Sequence, residues 1–129
     1  MPLDSLPPIL LIDDDPLVLE TLKDLCESLH CRRQVHHLST ASAFEAAADP
    51  GLGLIVCDYR FPGVSGVTFI EQVHRRGIQT PVLFISGAPD STAVLNASKL
   101  PRTAFLGKPF TISRFREAIL SLLGDGKSE

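Results

Sequence analysis

The chain has 129 residues, of which 44% are hydrophobic and 21% are charged, and its formal net charge is -3. This composition excludes a disordered chain and is typical of one globular domain with a single core. The negative charge and the lack of long basic clusters argue against a surface that binds nucleic acid. No apolar run is long enough to span a membrane, and no secretory signal is visible, so we expect a cytoplasmic protein.

Short apolar runs in the sequence alternate with helical patterns. The runs predict buried strands at 9–12, 52–57, 81–86 and 103–107, and a weaker run predicts an edge strand at 33–38. A helical pattern follows each of these strands. The first starts at Pro16 with Asp15 as N-cap, the second opens at Ser42, the third begins near Ser65, the fourth covers about 90–98, and the last begins after Thr111 and is ended by Gly124.

This order of elements is five repeats of a strand followed by a helix. It predicts an α/β fold with a five-stranded parallel sheet, five helices on its two faces and right-handed crossovers. The repeats fill the chain, so we expect a lead of residues 1–8, one domain over 9–123 and a tail of residues 124–129.

Polar residues follow four of the predicted strands. Asp13 and Asp14 end the first, Asp58 the third, Ser86 the fourth and Lys108 the fifth. Each alone has an ordinary interpretation as a cap, a turn residue or a solvated charge. Together they fall on one edge, because the carboxyl ends of parallel strands meet there and bind ligands there. Asp15 is separate, since its position predicts a helix cap.

These groups favour one kind of chemistry. Three neighbouring carboxylates need a cation, and a small set of hard oxygen ligands suits Mg²⁺. An ammonium and a hydroxyl beside them can hold phosphoryl oxygens, and an aspartate can accept a phosphoryl group as an acyl phosphate. The sequence therefore predicts a magnesium-dependent centre for phosphoryl transfer.

Four stretches in this order resemble the receiver domain of two-component response regulators: "ILLIDDDPLVL", "LIVCDYRFPGVSG", "PVLFISGAPD" and "AFLGKPF". The resemblance covers about residues 9–123. It implies a flavodoxin-like fold with strand order 2-1-3-4-5. It also implies a phosphoprotein that takes its phosphoryl group from a sensor histidine kinase or a phosphotransfer protein. Such a domain is a signalling module that assists only its own phosphorylation and dephosphorylation, and is not an enzyme.

The resemblance assigns roles to individual residues. Asp58 would be the phosphoacceptor, and Mg²⁺ would be held by Asp13, Asp14, Asp58 and the backbone carbonyl of Arg60. Ser86 and Lys108 would contact the phosphoryl group. Phe105 would move inward when Ser86 is drawn toward the phosphate, which would switch the face formed by the fourth and fifth strands. The Lys108–Pro109 bond would be cis.

The chain departs from the usual pattern of the family at a few positions. Arg60 is a long cation two residues after Asp58, where it could alter the lifetime of the phosphoryl group. Ala88, two residues after Ser86, offers no side-chain control of the attacking water. Pro101 and Arg102 replace the small residues usual before the fifth strand, which makes the signalling face unusual.

Three alternative interpretations remain at this stage. The first is a degenerate receiver that acts as a binding platform without phosphorylation. The second is a phosphatase like the haloacid dehalogenases, for which Asp13-x-Asp15 fits the first signature but a later acidic pair is missing. The third is a flavin carrier, whose phosphate the acids would repel. The sequence leaves open the cognate kinase, the output partner or fused output domain, and whether the chain stands alone or belongs to a longer protein.

Overall fold

The computed structural model describes residues 8–13, 15–31, 33–36, 47, 51–61, 64–87 and 99–124. Five strands form one parallel sheet: β1 (Ile9–Ile12), β2 (Arg33–His36), β3 (Leu54–Asp58), β6 (Val82–Ser86) and β7 (Thr103–Gly107). Two short strands, β4 (Arg60–Phe61) and β5 (Val64–Ser65), form a separate antiparallel pair. The helices are α1 (Pro16–Ser28), α2 (Gly66–Arg75) and α3 (Ile112–Gly124).

The strand order of the sheet is β2-β1-β3-β6-β7. Counting only the strands of this sheet, it is the predicted order 2-1-3-4-5. The non-sequential step from β2 to β3 across β1 places the point where the strand order reverses between β1 and β3, and ligands of such sheets bind there. The predicted helices that open at Ser42 and cover about 90–98 lie outside the described residues, except that Ala47 is helical and buried.

Alternating residues of each strand face the two sides of the sheet. On one side, a core packs against α1 and α3: Ile9, Leu11, Leu54, Val56, Leu83 and Ile85, with Leu19, Leu22, Phe115 and Ile119 from the helices. On the other side, a second core packs against α2: Leu10, Ile12, Ile55, Cys57, Val82 and Phe84, with Phe69, Ile70 and Val73. The sheet is thus covered on both faces, which explains why its central strands are continuous apolar runs.

Local signals set the ends of the described helices. Asp15 is the N-cap of α1, because its side chain accepts a hydrogen bond from the backbone N–H of Leu17, and Pro16 is the first helical residue. Gly77 follows α2 with φ of 88°, a conformation that favours glycine. Both features confirm the predicted ends. None of the described helices is long and apolar enough to cross a membrane.

Two features of the sheet differ from the sequence-based expectation. The pair β4–β5 lies where only a turn was expected, since strands of two residues have no detectable periodicity. The run 103–107 was expected to be buried on both faces, but all five residues of β7 are half-buried. In the described sheet β7 has one neighbouring strand, β6, so its outer edge keeps part of its solvent exposure.

Candidate functional site

The strand ends bring four of the predicted residues to one edge of the sheet. Asp13 directly follows β1, Asp58 and Ser86 are the last residues of β3 and β6, and Lys108 directly follows β7. The register pairs Asp58 with Ile85 and Ser86 with Gly107. The ladder continues past the strands on both sides of β6, because Tyr59 N–H donates to the Ile85 carbonyl at 2.9 Å and Lys108 N–H donates to the Ser86 carbonyl at 2.8 Å. The backbones of Asp58, Ser86 and Lys108 are therefore fixed relative to one another.

The acidic run after β1 divides into residues with different tasks. Asp13 is 2% exposed, and its Oδ1 accepts a hydrogen bond from the backbone N–H of Asp15 at 2.9 Å. The Oδ1 of Asp15 accepts from Leu17 N–H at 3.0 Å and so begins α1. Asp14, predicted as a direct metal ligand, lies outside the described residues. The structure therefore confirms the prediction that Asp15 caps α1, and it shows that Asp13 makes a different hydrogen bond.

The fully buried thiol of Cys57 responds to both described carboxylates. Its pKa lies well above the ordinary value, first because burial disfavours the thiolate, and then because the negative charges of Asp58 and Asp13 disfavour it further. The Cys57 Sγ donates to the Asp58 carbonyl at 3.2 Å. The two carboxylates therefore act on one small volume at the ends of β1 and β3. The sequence analysis did not identify Cys57 as part of this site, although its position before Asp58 was a signal.

A hard cation fits this donor set. Asp13 and Asp58 supply carboxylate oxygens close to one buried thiol, and carboxylates are the ligands by which proteins usually hold Mg²⁺. Among the described residues, no three His, Cys, Asp or Glu side chains lie close enough together to form a metal-binding group. The described part of the chain thus contains two of the three predicted acidic ligands, together with the backbone of Arg60. The Arg60 side chain and Ala88 lie outside it.

The hydroxyl and the ammonium of the predicted site lie on neighbouring segments. Ser86 is 3% exposed, whereas Lys108 is half-buried. A Cβ atom placed on Gly87 would lie 4.0 Å from Cδ of Lys108, so the aliphatic stem of the lysine passes close to the residue after Ser86. The Lys108–Pro109 peptide bond is cis, as the resemblance implied. Lys108 also borders a groove of about 330 Å³ that is lined mainly by apolar residues of α1 and by Pro109 and Phe110.

Three aromatic rings connect the acidic site with the half-buried edge strand β7. Tyr59, the residue after Asp58, lies edge-on to Phe84 with ring centroids 5.8 Å apart and an interplanar angle of 77°. Its ring also meets Phe105 at 5.7 Å and 58°. Phe84 is completely buried, while Tyr59 and Phe105 are half-buried at the margin of the core on the α2 side. The sequence analysis named Phe105 but missed Tyr59, because a contact across strands depends on register.

This architecture agrees with a family model for the response regulator receiver domain, which matches residues 9–120. The transcriptional regulatory protein FixJ of Azorhizobium caulinodans is 34% identical over 117 residues, covering 91% of this chain and 55% of that protein. The response regulator protein TodT of Pseudomonas putida is 34% identical over 116 residues, covering 89% of this chain and 50% of that protein. The chain thus spans about half the length of these curated relatives.

Solved structures show the same fold. A signal receiver domain of an HD domain-containing protein from Pseudomonas fluorescens Pf-5 superposes with a TM-score of 0.82 at 22% identity, covering 97% of this chain and 100% of that one. A CheY-like receiver domain protein from Methanospirillum hungatei gives a TM-score of 0.81 at 19% identity, covering 94% and 96% of the two chains. The family model and the curated relatives do not favour the phosphatase or the flavin carrier. The chain belongs to the response regulator receiver domain family, the signalling domains of two-component systems.

Proposed function

We propose that the chain accepts a phosphoryl group on the carboxylate of Asp58 and passes the signal on through β6 and β7. The observation that carries the proposal is the convergence of Asp13, Asp58, Ser86 and Lys108 on one edge of the sheet, with the backbones of the last three joined by the ladder from Tyr59 to Lys108. The phosphoryl donor of Asp58 would be a phosphohistidine on a sensor kinase or phosphotransfer protein, or a small acyl phosphate. The cytoplasm remains the expected location.

The transfer exchanges one phosphorus bond for another. A carboxylate oxygen of Asp58 attacks the phosphorus, the P–N bond to the donor imidazole breaks, and that imidazole leaves with the electron pair and takes up a proton. The product is an acyl phosphate, in which the nucleophile is the side chain itself. Almost all of the catalysis in such a transfer is positioning and neutralisation of charge. The protein is therefore a phosphoacceptor that promotes reactions of its own side chain, and we do not propose an independent enzymatic activity.

The chain's own residues have separate tasks in this transfer. The Asp58 carboxylate, on a half-buried residue at the end of β3, is the nucleophile, and the ladder bond from Lys108 N–H to the Ser86 carbonyl holds these two residues on neighbouring segments. The Ser86 hydroxyl and the Lys108 ammonium are the groups that would contact phosphoryl oxygens. Mg²⁺, held by Asp13, Asp14, Asp58 and the Arg60 carbonyl, would supply neutralisation of the crowded negative charge. The Arg60 side chain is proposed to affect only the lifetime of the product.

The test of the proposed function is an intact-mass measurement. We expect the protein to gain the mass of one phosphoryl group when it is incubated with acetyl phosphate and Mg²⁺. Asp58→Asn should abolish the gain, because the amide is not a nucleophile. Asp24→Asn, which removes an exposed carboxylate from α1, is the matched control and should still be phosphorylated. If neither acetyl phosphate nor a histidine kinase yields an adduct, the proposal is wrong and the binding-platform interpretation replaces it.

A further inference from the structure

Tyr59 follows Asp58 at the end of β3 and contacts both β6 and β7, the strands through which we propose that the signal passes. It is joined covalently to Asp58, its N–H donates to the carbonyl of Ile85 beside Ser86, and its ring packs against Phe105 on β7. In the part of the chain that the structure describes, no other ring contacts aromatic residues of both the inner strand β6 and the edge strand β7. The position of this ring thus depends on the end of β3, and the ring itself limits where Phe105 can lie.

The two ring partners of Tyr59 differ in their freedom. Phe84 is completely buried in the middle of the sheet, so its ring is a fixed surface. Phe105 lies on a strand whose residues are all half-buried, which leaves it room to change its packing. A displacement of Tyr59 cannot be absorbed by Phe84 and must therefore change the contact with Phe105. The interaction energy of edge-on and tilted aromatic pairs depends on the orientation of the two rings, so even a small rotation of Tyr59 alters its contact with Phe105.

We infer that Tyr59 is a positioning residue that transmits the phosphorylation state of Asp58 to Phe105 by direct ring contact. This inference rests on the proposed function. It adds a second connection to the one expected through Ser86: the phosphoryl group on Asp58 changes the end of β3, the Tyr59 ring shifts against the fixed ring of Phe84, and Phe105 repacks. Tyr59 touches no reacting atom in this scheme, and phosphoryl transfer itself does not need its ring.

The composition of the chain makes this contact directly observable. The sequence contains one tyrosine and no tryptophan, so the ultraviolet emission excited near the tyrosine absorption band comes from Tyr59 alone. We expect phosphorylation by acetyl phosphate and Mg²⁺ to change this emission in the full chain. Phe105→Leu should remove most of the change, because the neighbouring ring is lost. Phe110→Leu is the matched control, since Phe110 is also half-buried but stacks on Phe115 at the core on the other side of the sheet.

The decisive measurement is hydrogen–deuterium exchange of β7 before and after phosphorylation, with adduct yield followed by intact mass. In the wild type and in Tyr59→Phe, which keeps the ring, phosphorylation should change exchange at 103–107 by about two- to tenfold, the range that one aromatic pair can account for. In Tyr59→Leu the adduct should still form, but the change at 103–107 should be clearly smaller than in the wild type, with the remainder carried by the connection through Ser86. A purely structural role would alter exchange in both states equally and leave the difference between them intact.

The possible results separate the two proposals. If the wild type forms no adduct, the proposed function fails and the inference fails with it. If the adduct forms and Tyr59→Leu keeps the full exchange response, the inference alone is overturned. Should Tyr59→Leu fold poorly, the emission of Tyr59 in Phe105→Leu decides between the outcomes. If phosphorylation changes that emission as much as it does in the wild type and in Phe110→Leu, the signal does not pass through the contact between Tyr59 and Phe105, and the inference is overturned.

Discussion

The two ends of the same parallel sheet use polar groups in opposite ways. At the amino end, the segments before the strands are tied by backbone hydrogen bonds from Gly53 to Pro8, from Ile55 to Pro81 and from Val82 to Arg102. None of the residues described there, at 8, 51–53, 77–81 and 99–102, is acidic. At the carboxyl end, Asp13 and Asp58 act together on the buried Cys57. One end joins strands, and the other concentrates charge.

This difference separates stability from function within one fold. A buried carboxylate beside a second, half-buried one is unfavourable unless a cation or another partner offsets their charges, so the carboxyl end is expected to reduce stability until it is occupied. The amino end carries no such cost, and its polar groups are satisfied locally. Replacing residues at the two ends should therefore produce effects of different kinds: a changed response to Mg²⁺ at the carboxyl end, and changes in stability alone at the amino end.

Asp13→Asn should remove the response of stability to Mg²⁺ while preserving the fold. The amide oxygen can still accept the hydrogen bond from Asp15 N–H, but the buried charge of Asp13, one of the two neighbouring charges, is lost. At a Mg²⁺ concentration 100 times the dissociation constant, the wild type should gain about 2.7 kcal/mol in unfolding free energy. The variant should gain much less, and in the presence of a chelator it should be at least as stable as the wild type. Urea unfolding followed by circular dichroism measures both quantities.

The control for this prediction is again Asp24→Asn, which removes a carboxylate from the exposed face of α1. It should keep the full stabilisation by Mg²⁺, because its charge is far into the helix and exposed to solvent. If Asp13→Asn retains the same gain as this control, Mg²⁺ does not bind at the carboxyl end, and the difference between the two ends is not electrostatic.

Asp15→Ala should have a smaller effect of a purely structural kind, although Asp15 lies two residues from Asp13. Loss of the bond from Leu17 N–H to Asp15 Oδ1 should lower the unfolding free energy by about 1 kcal/mol, the usual value of an N-cap. Phosphorylation and the gain in stability with Mg²⁺ should remain. Thr111→Ala is the matched variant that removes the same kind of helix-start bond far from Asp13, since the Thr111 hydroxyl accepts from Arg114 N–H at the start of α3. A lost Mg²⁺ response in Asp15→Ala alone would make Asp15 part of the metal site.

The sequence predicted much of this arrangement because parallel strands impose it. Once the apolar runs are read as parallel strands, Asp13, Asp58, Ser86 and Lys108 must share an edge, and a short polar side chain before Pro16 predicts the start of α1. Family membership and fold follow from motifs that are contiguous in the chain. The roles of the individual site residues remain proposals, since they depend on ligands and on the residues between 88 and 98 as well as on the strand ends.

Other features could not be predicted, because they depend on contacts between distant segments. The ring of Tyr59 meets Phe105 only because the register pairs Phe84 with Phe105 and Asp58 with Ile85. The effect of the Asp13 and Asp58 charges on the pKa of Cys57 depends on the distance between the ends of β1 and β3, which the sequence does not give. The half-burial of β7 is also hard to predict, since "TAFLG" has an apolar centre like the runs that form fully buried strands, although Thr103 and Gly107 make it less apolar at its ends.

Arg102→Gly should give the smallest effect, and it should be a gain. Arg102 has φ of 54°, in the left-handed region that residues with a Cβ adopt at a cost of about 1–2 kcal/mol. Glycine removes that cost but loses about 0.5–1 kcal/mol through the greater freedom of the unfolded chain. The net result should be an increase of about 0.5 kcal/mol in unfolding free energy, measured by urea unfolding, with phosphorylation of Asp58 unchanged.

Two further glycine variants show whether this gain has the stated cause. His30→Gly, at φ of 61° after α1, should behave in the same way, whereas Lys99→Gly, which is exposed and has no positive φ, should lose stability. If Arg102→Gly is destabilising while His30→Gly is not, the Arg102 side chain makes a stabilising contact beside Gln79 and Thr80, with which it lines a depression. The amino end would then hold its strands with side chains as well as with backbone, and the contrast with the carboxyl end would lie only in the sign and burial of the charges.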